Sequence, residues 1–279
     1  MNDVRIVEED LRYKLYTGDL FPLAYNKGHL GYGDFYLSRP NFYPVLTPRG
    51  HQVTTSSAFR YDHHKSVFVG HAKVNGVNFF HDNNPARNDL GDIRLDDAET
   101  SIENGVARIA SRNTWVTKAG VEMLTEQRDI AWRPDDVAHM LDVSSSLTSL
   151  AGDITFGKDT HAYIGVRVAD SMDVEDGGRV IDSEGRRDEA GVMGQFADWV
   201  DYSGLVAGEP VGVTLITHPS DPPSPFFVRN YGTFLSNFTL HEPYTLPAGV
   251  TLTQRFRLLV HDGWGDDIDI AAYHAEFGY

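Results

Sequence analysis

The side chains best suited to chemistry crowd into one stretch. His63, His64, His71 and His81 are four of the twelve histidines of the 279-residue chain, with Asp62 and Asp82 at the edges of the run. Imidazole titrates nearest physiological pH, so such a cluster on rigid strands suits proton transfer or metal coordination. Adjacent strand residues point to opposite faces, so His63 and His64 share a surface only if a bulge intervenes. The pattern predicts acid/base roles for His64 and His71, with His63 among the groups that touch substrate. A metal would take two or three of these imidazoles with Asp62 or His81, but the usual local spacing signatures are absent. No cofactor is expected, a divalent ion on histidines being the alternative.

Other candidates lie farther along. Arg167 stands in an otherwise apolar strand and needs an acceptor, either a carboxylate such as Asp198 or a ligand oxygen. Arg229 and Asn230 precede Tyr231-Gly232. Asp198-Trp199-Val200-Asp201-Tyr202 alternates carboxylates with rings, as a saccharide cleft requires; Asp198 is read as catalytic, Trp199 and Tyr202 as substrate-binding. Asn75 and His218 complete the substrate-binding set, His218 closing the pocket from the opposite sheet edge. No Gly-rich phosphate loop, G-x-S-x-G elbow or H-E-x-x-H pair occurs, which removes support for nucleotide-dependent chemistry and serine hydrolysis.

The elements that position these groups read as strands. Short alternating runs are broken by Gly, Asn and Asp turns. Asn104-Gly105 between Ser101-Ile102-Glu103 and Val106-Ala107-Arg108-Ile109 predicts a two-residue type I′ hairpin. Asn75-Gly76 repeats the signal and puts the four histidines on one hairpin. Residues 137–148 carry apolar groups on both faces, which suits a central strand packed between two layers. A single short helix is expected at the C-terminus, capped by Asp266 or Asp267 and carrying Ile268, Ala271, Ala272 and Phe277. The whole is predicted to be all-β: one domain spanning residues 1–279, a large antiparallel two-sheet sandwich with the polar site on its concave face.

Composition sets outer bounds. Apolar residues at 41% and aromatics at 11% can fill a sizeable core. Forty Asp and Glu against 24 Lys and Arg give a net charge of −16, which repels nucleic acid and anionic membrane and favours a neutral or cationic small molecule. Without cysteine there is no disulfide, thiolate nucleophile or Cys-based metal site. The acidic N-terminus lacks a signal-like apolar run, and a cytoplasmic protein is expected, with self-association left open.

Several segments together resemble one family. They are Asp62-His63-His64-Lys65-Ser66, Gly70-His71, Val74-Asn75-Gly76-Val77, residues 152–157, residues 164–170, Ala197-Asp198-Trp199-Val200-Asp201-Tyr202-Ser203-Gly204, His218-Pro219 and residues 228–232. Spread over residues 35 to 262, they are similar to the PmoA-like proteins, a bacterial family labelled "methane oxygenase". With no membrane span and no copper signature, methane oxidation is not implied. The resemblance implies a supersandwich like galactose mutarotase, and genes of the family often stand beside those of sugar oxidoreductases. The chain departs from the family pattern at Met193-Gly194-Gln195-Phe196, where Trp-Gly-Lys-Arg is usual, and at Asn78-Phe79-Phe80, where Asp-Phe-Trp is usual.

Together these readings predict a carbohydrate-active enzyme, a lyase or hydrolase on (3-keto-)glycosides using histidine acid/base chemistry. Epimerase or mutarotase action and a non-catalytic sugar-binding module are the alternatives. A small-molecule sugar is the expected partner, with neither nucleic acid nor membrane.

Overall fold

The computed structural model describes residues 3–278 except Leu30, Asp34, Ser57, Phe59, Arg60, Asp62 and Ala151, together with the backbone alone of Tyr32. Two eight-stranded antiparallel sheets form the framework. The first runs, edge to edge, through Val4–Glu9, Arg12–Thr17, Leu20–Asn26, Asn41–Val45, Val67–His71, Ala162–Arg167, Thr233–Ser236 and Phe226–Arg229. The second runs through Arg179–Asp182, Trp199–Val206, Glu209–Thr217, Thr251–Asp262, Ala138–Ser149, Glu122–Arg133, Val106–Thr117 and Gly91–Glu103.

Period-two alternation explains which side of each sheet is dry. Val67 and Val69 point inward with Ile164 and Val166, and meet Leu141, Val143, Leu258 and Val260 of the second sheet in one apolar cluster. A polar knot is buried in the same layer. Arg128 donates to both oxygens of Glu126 at 2.8 Å, and Glu126 also accepts from Trp115 and Ser145. Arg128 reaches Tyr25 of the first sheet at 3.3 Å, so the knot ties the two sheets together.

The Asn104-Gly105 hairpin forms as expected, with φ of 52° and 78° at its two central residues, between Gly91–Glu103 and Val106–Thr117. The strand Ala138–Ser149 is central, and its faces pack differently. Leu141, Val143 and Leu147 enter the core between the sheets, whereas Ala138 and Met140 pack under the C-terminal helix Ile270–Phe277. That helix is capped by Asp269, whose side chain accepts from the Ala272 N–H; Asp266 and Asp267 belong to a preceding 3-10 turn. A second helix, Asp188–Val192, was not predicted from sequence: its single turn is too short to show an apolar period.

Only the tip of the expected histidine hairpin forms, Val74 and Val77 exchanging backbone bonds and the Phe79 N–H reaching the His71 carbonyl at 2.9 Å. Asn75 and Gly76 do take positive φ, and Val74 bridges Val77, but Val67–His71 pairs instead with Asn41–Val45 and Ala162–Arg167. The Asn78 side-chain oxygen accepts from the N–H groups of Phe80 and His81, taking both donors out of any ladder. Residues 78–84 therefore run as a loop.

Candidate functional site

The outward face of the first sheet carries the candidate site. Phe68, Leu235 and Phe227 line it, and Phe80 packs down onto them from the loop. Gly165 sits beneath Phe68, where a Cβ would come within 2.8 Å of the ring, so only glycine lets that ring lie flat on the sheet. Arg39 is fully buried and brackets the surface. Its guanidinium lies 4.5 Å from the Phe68 ring centre, donates to Asp82 at 3.1 Å, and holds the His63 carbonyl at 2.7 Å.

Over this floor four imidazoles meet. The His63 ring centre lies 4.4 Å from His64, 4.3 Å from His81 and 5.6 Å from His161. His63 and His64 both reach this face, which strand alternation would allow only with a bulge. Both precede the strand in an irregular segment that ends at Ser66, with φ of 63°, so strand alternation does not govern them. Nδ1 of His161 pairs with the Asp159 carboxylate at 2.9 Å, and Nδ1 of His81 lies 3.1 Å from the Asn78 amide nitrogen. Nitrogens of His63, His81 and His161 can all lie within 4.8 Å of one another, which makes these three the residues that could hold a metal.

Electrostatics keep two of the rings neutral. Burial, then the positive surroundings of His63 and Arg167, pushes His64 down to about 2. Burial, then His63 and Arg87, pushes His81 down to about 3. Burial alone would raise Asp159, but hydrogen bonds from His161 and Lys73 outweigh it and hold the carboxyl below its ordinary range. Asp82 is raised by burial against the pull of Arg39 and Lys65.

Beside the imidazoles lies an aromatic and cationic shelf. Tyr61 and Tyr231 stack in parallel at 4.5 Å, and His64 stacks on Tyr61 at 5.2 Å. Arg167 and Arg229 lie 5.7 and 5.4 Å from the Tyr231 ring centre. Arg229 is paired with Glu189 at 3.1 Å. Arg167 reaches Asp170 through Nη2 at 2.8 Å, yet it is only 4% exposed and its Nε and Nη1 have no partner among the described residues. On the other side, Lys65 and Asp82 join the cluster to a cleft of about 370 Å³ that Arg12, Asn26, Asn41 and Tyr43 also line.

Of the residues singled out in the sequence, His63, His64, His81, Arg167 and Arg229 come together. The others do not. His71 points into the core from the opposite side of its strand, with no exposure; its Nδ1 accepts from the Lys73 N–H at 3.0 Å and its Nε2 meets Thr239 at 2.8 Å. Asn75 spends its amide on the backbone of Asp153 and Thr155. Asp198 and His218 line a separate cleft of about 260 Å³ over the second sheet. Trp199 packs against the C-terminal helix cluster rather than a cleft. Tyr202 is buried, its hydroxyl donating to the Asn230 carbonyl at 2.8 Å, while the Asn230 side chain caps the N–H of Glu189. Asp62 lies outside the described residues. His261 is buried and bonded to Asp201 at 2.9 Å.

Residues 14–275 match a single family over nearly the whole chain. The chain belongs to that family, described as a family of unknown function (DUF6807). The match carries no methane-oxygenase description, and the PmoA-like label is dropped. Among solved structures the chain is similar to a galactose mutarotase related enzyme from Lactobacillus acidophilus, at 11% identity and TM-score 0.35, covering 94% of this chain and 98% of that one. It is also similar to a galactose mutarotase-like protein from Lactobacillus casei, at 8% identity and TM-score 0.39, covering 92% and 100%. No curated protein matches. Among the described residues, no helix is long and apolar enough to cross a membrane.

Sequence reasoning missed His161, Arg39, Tyr61 and Tyr231 as members of this face. His161 follows Asp159 by two residues, and Asp-x-His was the one local signal of an oriented imidazole. Tyr231 was quoted only as a neighbour of Arg229, although its alternation with Arg229 and Phe227 puts all three at one side of the strand end.

Proposed function

We propose that this face binds a sugar carrying a carbonyl or carboxylate group, and that the protein acts on it as a lyase or hydrolase of oxidised glycosides. The observation that carries the reading is Arg167. A guanidinium removed from water with Nε and Nη1 unspent is unfavourable unless an oxygen-rich ligand completes it. The chain is acidic overall, but the dry, unfilled donors of Arg167 carry positive charge, so an anionic or enolate oxygen suits this surface better than the cationic partner suggested by net charge.

The surroundings support the same ligand. The Tyr61 and Tyr231 pair offers aromatic area for the apolar C–H side of a pyranose ring. His64 presents a neutral ring whose Nδ1 has no partner among the described residues. In an oxidised glycoside the C–H beside the ketone is acidic. Its proton passes to an imidazole nitrogen while the electron pair moves to the ketone oxygen, held by Arg167. Collapse of that enolate forms a C=C bond and expels the β-oxygen with its bonding pair; that oxygen takes the proton, and later addition of water across the double bond gives net hydrolysis.

The test is nuclear magnetic resonance of a 3-keto-glycoside with the protein in deuterium oxide. Loss of the α-proton signal with release of the aglycone supports the reading. Exchange with an inverted centre and no release indicates an epimerase. Binding of the keto-sugar with neither exchange nor release leaves a sugar-binding module.

A further inference from the structure

We infer that His63, His81 and His161 bind one divalent first-row transition-metal ion, zinc being the best match, with a position left open for a substrate oxygen. Three imidazoles and an open fourth site are the donor set of catalytic zinc centres. In tetrahedral geometry, nitrogens about 2.0–2.1 Å from zinc sit roughly 3.4 Å apart. The three rings here already bring one nitrogen each to within 4.8 Å, so small ring rotations close the site.

What separates this cluster from a chance meeting of histidines is its outer layer. The Asp159 carboxylate holds Nδ1 of His161 at 2.9 Å, which leaves Nε2 with the lone pair, the carboxylate–histidine–metal arrangement. Asp159 is itself fixed, accepting from the His161 N–H at 2.9 Å and pairing with Lys73 at 3.1 Å. The Asn78 side-chain oxygen, fixed by the N–H groups of Phe80 and His81, lies 3.3 Å from Nδ1 of His81; accepting from Nδ1–H, it leaves Nε2 with the lone pair and aims it by a rigid turn. The third segment is held by Arg39, which grips the His63 carbonyl at 2.7 Å. Three stretches far apart in sequence thus each deliver one imidazole and each has a dedicated brace.

An ion here would polarise a carbonyl oxygen and ease removal of the neighbouring proton. The identity of that fourth ligand rests on the oxidised-sugar reading; the binding of the ion does not.

The untagged full chain, stripped with a chelator and dialysed, is titrated with zinc chloride by calorimetry and with Co(II) by visible absorption. One ion per chain with Kd below about 1 µM and an intense four- or five-coordinate Co(II) spectrum are expected. His81→Ala and His161→Ala should each weaken zinc at least about 100-fold, and Asp159→Asn about 10–100-fold, with circular dichroism unchanged. Absence of stoichiometric uptake by the wild-type chain overturns the inference, as does uptake that both alanine variants leave intact. Should those variants not fold, the wild-type Co(II) spectrum decides, a weak six-coordinate band counting against the site. Zinc uptake without keto-sugar binding removes the oxidised-sugar reading alone; keto-sugar binding without zinc uptake removes only the ion.

Discussion

The guanidinium of Arg167 lies 5.7 Å from the centre of the Tyr231 ring, and its Nε and Nη1 meet no hydrogen-bond partner among the described residues. Arg167→Ala should weaken binding of a keto- or carboxylate-bearing sugar by about 10–100-fold, since a charge-assisted hydrogen bond contributes about 1.5–3 kcal/mol. Neutral glycosides should be affected much less. Arg167→Lys should recover little, because a single ammonium cannot reproduce the fork. Calorimetry with paired neutral and oxidised sugars checks this, and equal losses for both would remove Arg167 as the discriminating group.

The stacked tyrosines should matter in a different way. Tyr231→Ala removes half of the platform at 4.5 Å from Tyr61 and exposes the Arg167 guanidinium to water. Affinity for neutral and oxidised sugars should then fall together, by about 0.5–1.5 kcal/mol for the lost ring contact. A change confined to oxidised sugars would show that the ring acts only through the arginine.

His71 belongs to stability rather than to ligand. Burial, resisted by Asp159 and reinforced by Lys73, pushes its folded-state pKa down to about 3. The unfolded chain, near 6.5, takes up the proton first as the pH falls. The stabilising contribution is therefore complete above about pH 6.5 and is lost progressively down to about 3, at roughly 1.4 kcal/mol per pH unit. Buried His139, pushed down to about 4 by burial, adds in the same direction. Urea midpoints should fall from pH 7.5 to 5, and His71→Gln should flatten that fall by about one proton. An unchanged slope would contradict the assignment.

The Glu126 and Arg128 pair sits sealed between the sheets, each side chain at most 1% exposed. Glu126→Gln leaves Arg128 charged in a dry site and should lower stability by about 3–5 kcal/mol. Equilibrium urea unfolding measures it. A loss under about 1 kcal/mol would mean that water reaches the guanidinium.

Much of the framework was legible in the sequence because its signals are local. Asn104-Gly105 specifies its turn through two positive φ angles, and residues 137–148 declare a two-faced strand by their own pattern. The site was legible only in part. His63 and His64 were visible as neighbours, but strand alternation was applied to a segment that is not strand. His161 reaches them only because Ala162–Arg167 pairs with Val67–His71, a register that no local pattern encodes. Asp198, Trp199 and His218 share a motif-like spacing with saccharide clefts, yet the second sheet turns them toward the C-terminal helix and a separate cleft.

The longest border strand, Gly91–Glu103, bonds through the Gly91 and Ile93 N–H groups to Asn78 and Ser38, but beyond Ile93 its outer flank pairs with no other strand among the described residues, and there it carries Asp96, Asp97, Glu99 and Glu103. Rows of unpaired backbone groups invite another chain to add on, and mutual repulsion between such carboxylates prevents it. Exchanging Asp97 for Asn together with Glu99 for Gln should therefore turn this border into a site of sheet-to-sheet aggregation while the native state persists.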